Sequence, residues 1–251
     1  MTVFPEASRM AFAAAYPETP AQFAHGLSDH PLLTLPALVA LAARLNSADV
    51  EYNPGKLPIG IAPQDVPAPR LSIADTISSI EEADSWMVLK FIENDPAYKA
   101  LLDETLSELR DLVTSITGEM LTPQGFIFVS ATDAVTPFHF DPEHNILLQI
   151  RGEKIFNVFP QANEEIVSPE AHEAFHLGEH HRNLPWTGGF AEKGNAIALA
   201  PGDALHVPVK APHWVKVTKG PAVSLSVTWR SEWSYEEADA APSTGCFAAP
   251  A

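Results

Sequence analysis

A chain of 251 residues with 46% hydrophobic and 19% charged side chains can bury one generous core, so wholesale disorder is excluded despite 23 prolines. Thirty-two acidic against 15 basic side chains give a formal charge of −17, which repels phosphate backbones and anionic bilayers and argues against nucleic acid or a membrane as partner. Cys246 is the single cysteine, so an intramolecular disulfide and a thiolate metal cluster are excluded.

In chain order, the first 120 residues read mainly as helix, beginning with an Ala-rich segment around Met10–Ala15. After Thr34, the residues Leu35, Leu38, Val39, Ala42 and Leu45 fall on one helical face, with Pro36 tolerated in the first turn. Residues 51–71 carry Pro54, Gly55, Pro58, Pro63, Pro67 and Pro69 and read as loop, and Trp86–Ile92 reads as one strand. Asp95 followed by Pro96 predicts a helix start, and Tyr98, Leu101, Leu102, Leu109, Leu112, Val113 and Ile116 supply its apolar stripe as far as Gly118. These broad apolar faces at 35–45 and 98–116 lead us to expect a homodimer.

From Gly125 the pattern changes to short β-rich runs, GFIFVSA, NILLQIR, KIFNVFP, AIALA, ALHVP, HWVKVT and AVSLSVTW, separated by Gly, Pro and Asn. The expected organisation is a helical region over 1–120 packed on a β-barrel over 121–235, with a C-terminal tail over 236–251. The N-terminus lacks a basic segment followed by an apolar one, and no run of about 18 apolar residues occurs, so the expected compartment is the cytoplasm.

Chemistry concentrates in TPFHFDPEHN, which places His139 and Asp141 two residues apart. Positions i and i+2 of a strand project from one face, so an imidazole and a carboxylate can meet one ion. The segment PGDALHVPVKAPH supplies His213 as the third ligand; His206 is the alternative, and His144 reads as a turn residue. Two histidines and one carboxylate leave three positions of an Fe(II) ion open.

The stretch TPFHFDPEHNILLQIRGEKIFNVFP, continued by AIALAPGDALHVPVKAPHWVKV and SLSVTWRSEW, resembles the iron-binding part of the JmjC and cupin-like 2-oxoglutarate oxygenases, particularly their asparaginyl hydroxylase branch. The resemblance implies a cupin, or jelly-roll double-stranded β-helix, preceded by helices. Gly202, Pro208 and His213 are in register with the second cupin motif, while Lys210 stands where that motif has its second glycine. By the same resemblance Lys154 and Thr136 would hold the remote carboxylate of 2-oxoglutarate, and Asn145 would lie near iron and the 1-carboxylate. The branch also uses a tyrosine from an earlier strand; no equivalent is placed here, and Phe128 has no hydroxyl.

One histidine group remains. His172, His176 and His180 in SPEAHEAFHLGEHHRNLPW follow helical spacing, which fits a surface helix inserted between barrel strands, with His181, Arg182 and Trp186 at a substrate mouth. The expected function is an Fe(II)- and 2-oxoglutarate-dependent dioxygenase that hydroxylates a protein side chain or a small molecule. The alternatives are a non-catalytic metal-binding cupin acting as sensor or regulator, and a metal-dependent isomerase of the same fold.

Overall fold

A computed structural model of the chain describes residues 2–54, 57–62, 65, 77, 80, 85–176 and 184–240. Nine strands form one antiparallel sheet that curls into a jelly roll: β1 (Ala21–Ala24), β2 (Val50–Pro54), β3 (Ser85–Lys90), β4 (Leu121–Ser130), β5 (Val135–His139), β6 (His144–Val158), β7 (Asn195–Leu199), β8 (Asp203–Val207) and β9 (His213–Arg230). Six α-helices accompany them among the described residues: α1 (Glu6–Ala15), α2 (Leu35–Ala42), α3 (Pro96–Ser107), α4 (Arg110–Thr117), α5 (Pro169–His176) and α6 (Glu232–Ala240).

The main path of the sheet is β1-β8-β6-β9-β4-β3-β2, with β5 added to β9 and β7 to β6. Two expected strands, NILLQIR and KIFNVFP, are one continuous β6, and HWVKVT with AVSLSVTW is one continuous β9. The residues read as punctuation make bends inside these strands. Pairing of β6 with β9 shifts register at Gln149/Arg151, Arg151/Glu153 and Glu153/Lys154, and each extra residue bends a strand without ending it. Gly152 occupies this bend at φ 71°, where a Cβ would stand 2.4 Å from the Lys219 carbonyl oxygen.

Beyond the bend β6 changes partners. Its first half pairs with β8, through Asn145–Leu148, and its second half pairs with β7, through Lys154–Val158. Both faces of the sheet are buried, and the period-two alternation separates them. Met87, Leu89, Ile127, Val129, Ile146, Leu148, Leu225 and Val227 enter the large core shared with the helices. Trp86, Val88, Phe126, Phe128, Asn145, Leu147, Ser226 and Thr228 line a cavity on the other side.

The helical region starts as its signals predict. The Asp95 carboxylate accepts the Ala97 N–H at 3.0 Å, with Pro96 in the first turn, and pairs with Arg44 at 2.7 Å. The expected single helix is two, interrupted at Glu108–Leu109, where the Glu108 carboxylate accepts the N–H groups of Val3 and Phe4 at 2.6 and 2.8 Å. β1, β2 and β3 extend the sheet into the first 120 residues, including Val50–Pro54 from the stretch read as loop. The segment after Trp233 is helical as far as Ala240, and Cys246 lies outside the described residues.

Leu38, Leu41, Tyr98, Leu101, Leu102, Leu106, Leu109 and Val113 are buried within this chain, whereas Ile116 of the same expected apolar face is exposed. Among the described residues no helix is long and apolar enough to cross a membrane.

Candidate metal centre and its cavity

His139 and His213 are direct cross-strand partners in the pairing of β5 with β9, and their ring centroids lie 4.1 Å apart. Asp141 follows His139 by two residues, and the intervening Phe140 turns away into a buried cluster with Phe138 and Phe159. The backbone N–H of Lys210 donates to the Asp141 carbonyl at 2.8 Å, which ties the end of the His-x-Asp segment to the turn that delivers His213. Lys210 adopts φ 59° there, so it takes up the left-handed conformation for which the motif uses glycine.

Asp141 Oδ2 stands 3.7 Å from Nε2 of His139 and 3.7 Å from Nε2 of His213, and the three donors all lie within 4.8 Å of one another. Two donors each bonded to one ion at about 2.1 Å can be no more than about 4.2 Å apart, so both 3.7 Å separations fit a shared cation. The tautomers fit as well. Nδ1 of His139 donates to the Pro137 carbonyl at 2.7 Å and Nδ1 of His213 to the Ala211 carbonyl at 2.9 Å, which places the proton on Nδ1 and the lone pair on Nε2. Burial pushes His213 below the ordinary histidine value, against the pull of Asp141, and keeps it a neutral ligand. Phe156 stacks on its ring at 4.8 Å and 21° and fixes its plane.

The other histidines go elsewhere. His206 is buried on the helical side against Phe12 and Tyr16, with its ring nitrogens facing the carbonyls of Asn145 and Pro17. His144 opens β6 and is not a turn residue; it is fully buried, stacks on Trp229 and bonds to Ser231 at 2.8 Å. His172 lies on α5 with its ring 4.6 Å from Phe140. The side chain of His176, and His180, His181 and Arg182, fall outside the described residues. Among the described residues, His139, Asp141 and His213 are the one group of this kind.

The three donors open into a cavity of about 680 Å³, which Thr136, Asn145 and Lys154 also line. Lys154 is 5% exposed, its ammonium sits 5.7 Å from the centroid of the Phe128 ring, and burial pulls its pKa down to about 7. Thr136 and Phe156 share Val215 as cross-strand partner, and Lys154 lies one alternation further along β6, so hydroxyl and ammonium occupy neighbouring rows of one face. Ser226 donates to Oδ1 of Asn145 at 2.8 Å, which leaves the amide NH₂ as the group it offers a ligand. At the rim Lys90 pairs with Glu51 at 3.2 Å. Trp186 packs against Phe138, Phe190 and Trp214, and from the inserted region it is Phe175 that reaches the cavity wall.

Sequence reasoning missed Ser226 and Thr228. Their signal was present in SLSVTW, where small polar residues alternate with Leu225 and Val227. Polar side chains on an inward strand face indicate a cavity wall and not a core.

Residues 74–235 match the family described as cupin-like domain. Over 104 residues the chain is 30% identical to Jumonji C domain-containing protein 5 of Drosophila melanogaster, a segment covering 38% of this chain and 25% of that protein. Among solved structures, the chain superposes on YcfD, a ribosomal oxygenase from Escherichia coli in complex with cobalt and 2-oxoglutarate. The TM-score is 0.58 at 16% identity, covering 100% of this chain and 59% of that one. The same enzyme with cobalt and succinic acid gives a TM-score of 0.54 at 15% identity, over 92% and 52% of the two chains. The chain thus spans a quarter of the curated relative and little more than half of these structural neighbours.

Proposed function

This chain belongs to the cupin-like domain family, and from that premise we propose that it is an Fe(II)- and 2-oxoglutarate-dependent dioxygenase that hydroxylates a C–H bond of a protein side chain or a small molecule. The observation that carries this reading is one cavity holding both a three-donor metal face and, at its buried end, an ammonium that no carboxylate of the described residues neutralises. The ribosomal oxygenase with 2-oxoglutarate and cobalt, so similar in fold, supports the same choice.

In this reading His139, Asp141 and His213 would hold iron, and three ligands would leave it positions for a cosubstrate. Iron so held would supply the chemistry by which O₂ gives one oxygen atom to 2-oxoglutarate, yielding succinate and CO₂, and the other to the substrate C–H bond, yielding the alcohol. Lys154 and Thr136 bind the remote carboxylate, Asn145 orients the oxo-acid end, and Phe128, Phe156 and Leu147 exclude water around the chain between them. Residues 121–235 supply all of these groups, and β2 and β3 from the preceding region close one wall.

The Fe(II)-loaded protein should release CO₂ from 1-labelled 2-oxoglutarate and form succinate, slowly without the prime substrate. Asp141→Ala and His213→Ala should abolish both products and strongly lower iron occupancy, whereas His172→Ala should leave the metal bound. If iron binds and 2-oxoglutarate neither binds nor turns over, the oxygenase reading falls and a regulatory metal-cupin takes its place.

A further inference from the structure

Trp86 begins the run of β3 residues that face the cavity, followed by Val88 and then by Lys90 at the rim. The residue is 6% exposed, and its indole Nε1 is buried with no hydrogen-bond partner. An unmade bond at a buried N–H is costly, and a native structure retains one chiefly where a ligand or ordered water completes it.

The surroundings of Trp86 say which ligand. It packs with Val88, Ala134, Val217 and Ala222, joined by Phe126 and Phe128. Val217 is the cross-strand partner of Lys154, and Phe128 carries the ring faced by the Lys154 ammonium. Trp86 therefore belongs to the buried end of the cavity where Lys154 sits. That end offers an ammonium, an indole N–H and the Thr136 hydroxyl, and the acidic lining residues Glu51, Asp141 and Glu143 lie in the rim pair, in the metal face or directly after it. A donor-rich, carboxylate-free end selects an anion with several lone pairs.

We infer that Trp86 donates its indole N–H to the remote carboxylate of 2-oxoglutarate, alongside Lys154 and Thr136, a position for which the sequence offered no tyrosine. The inference rests on the cosubstrate assignment proposed above. It makes Trp86 a determinant of cosubstrate choice: oxo acids of the same length without a second carboxylate leave the N–H unsatisfied.

The experiment is calorimetry on the Zn(II)-loaded protein with 2-oxoglutarate and with 2-oxopentanoate, which lacks the remote carboxylate. Trp86→Phe keeps most of the ring and removes the donor. It should weaken 2-oxoglutarate by about ten- to a hundredfold, the range for a hydrogen bond to a charged group, and leave 2-oxopentanoate unchanged. Equal losses for both ligands, or no loss for either, would overturn the inference. Failure of the wild-type protein to bind 2-oxoglutarate would instead sink the cosubstrate assignment itself.

A second readout needs no folded variant. In wild-type protein labelled with ¹⁵N-tryptophan, one indole N–H resonance should move downfield and gain protection from solvent exchange on adding 2-oxoglutarate. It should not respond to 2-oxopentanoate. Indole resonances that respond alike to the two ligands would again reject the assignment.

Discussion

The ammonium of Lys154 has an ordinary pKa near 10.5, and burial brings it to about 7 before any anion is present. A bound carboxylate favours the charged form and raises that value, which couples cosubstrate binding to a proton. Below pH 7 the side chain is already charged and affinity is at its full strength. Above pH 7 binding must take a proton from solvent, so affinity for 2-oxoglutarate should fall by up to about tenfold per pH unit. Calorimetry at pH 8 in buffers of different ionisation enthalpy should find net uptake approaching one proton; none would show that Lys154 is not the partner. Lys154→Ala, which strands a buried charge, should weaken binding at least about a hundredfold, and Thr136→Val only about five- to tenfold.

At the scale of elements, the turn carrying His213 shows what a motif conveys and what it does not. The register of Gly202, Pro208 and His213 was legible, and so was the shared face of His139 and Asp141, because strand alternation is a local property. Lys210 in place of glycine was legible only as a departure; the chain accepts φ 59° and retains the bond to the Asp141 carbonyl. A left-handed non-glycine residue costs on the order of 1 kcal/mol, and the exposed bond from Lys210 Nζ to the Glu237 carbonyl offsets little of it. Lys210→Gly should therefore stabilise the chain by about 0.5–1 kcal/mol in urea unfolding, without loss of metal. The fusion of expected strands into β6 and β9 was not legible, because a bulge and a turn both present glycine amid polar residues. Only the partner strand distinguishes them, and that partner is remote in sequence. Trp86 shows the same limit: its place on a strand was readable, but not the face it shares with Lys154.

For the molecule as a whole, the interface between helices and sheet contains histidines that must stay neutral. Burial holds His206 at about 4 and His144 at about 3, both below the ordinary 6.5. Depressed values in the folded state mean that the unfolded chain binds the extra protons. The stability these two residues allow is complete above pH 6.5 and is lost as pH falls toward 4 and 3, at up to about 1.4 kcal/mol per pH unit for each. Between pH 6.5 and 5 the two together remove up to about 4 kcal/mol, a large share of a total of about 5–15 kcal/mol. Urea midpoints should drop steeply between pH 6.5 and 5; half the slope would mean that one of the two is charged in the folded chain, and a flat profile that both are.

Among the nine strands β5 pairs with β9 alone, through Val135–Lys216, Thr136–Val215 and His139–His213, and its register slips before the last of these. Two of the three donors stand at the end of this ribbon, and the third opens the strand beside it. An ion gripped by all three is then also a rivet, pinning this short strand to the longest strand of the sheet. Chelation should loosen that seam, speeding amide exchange across residues 135–141 while β4 and β6 stay protected. The same rivet would make metal loading and the positioning of Thr136 a single event, so that a site without iron also lacks a finished berth for its cosubstrate.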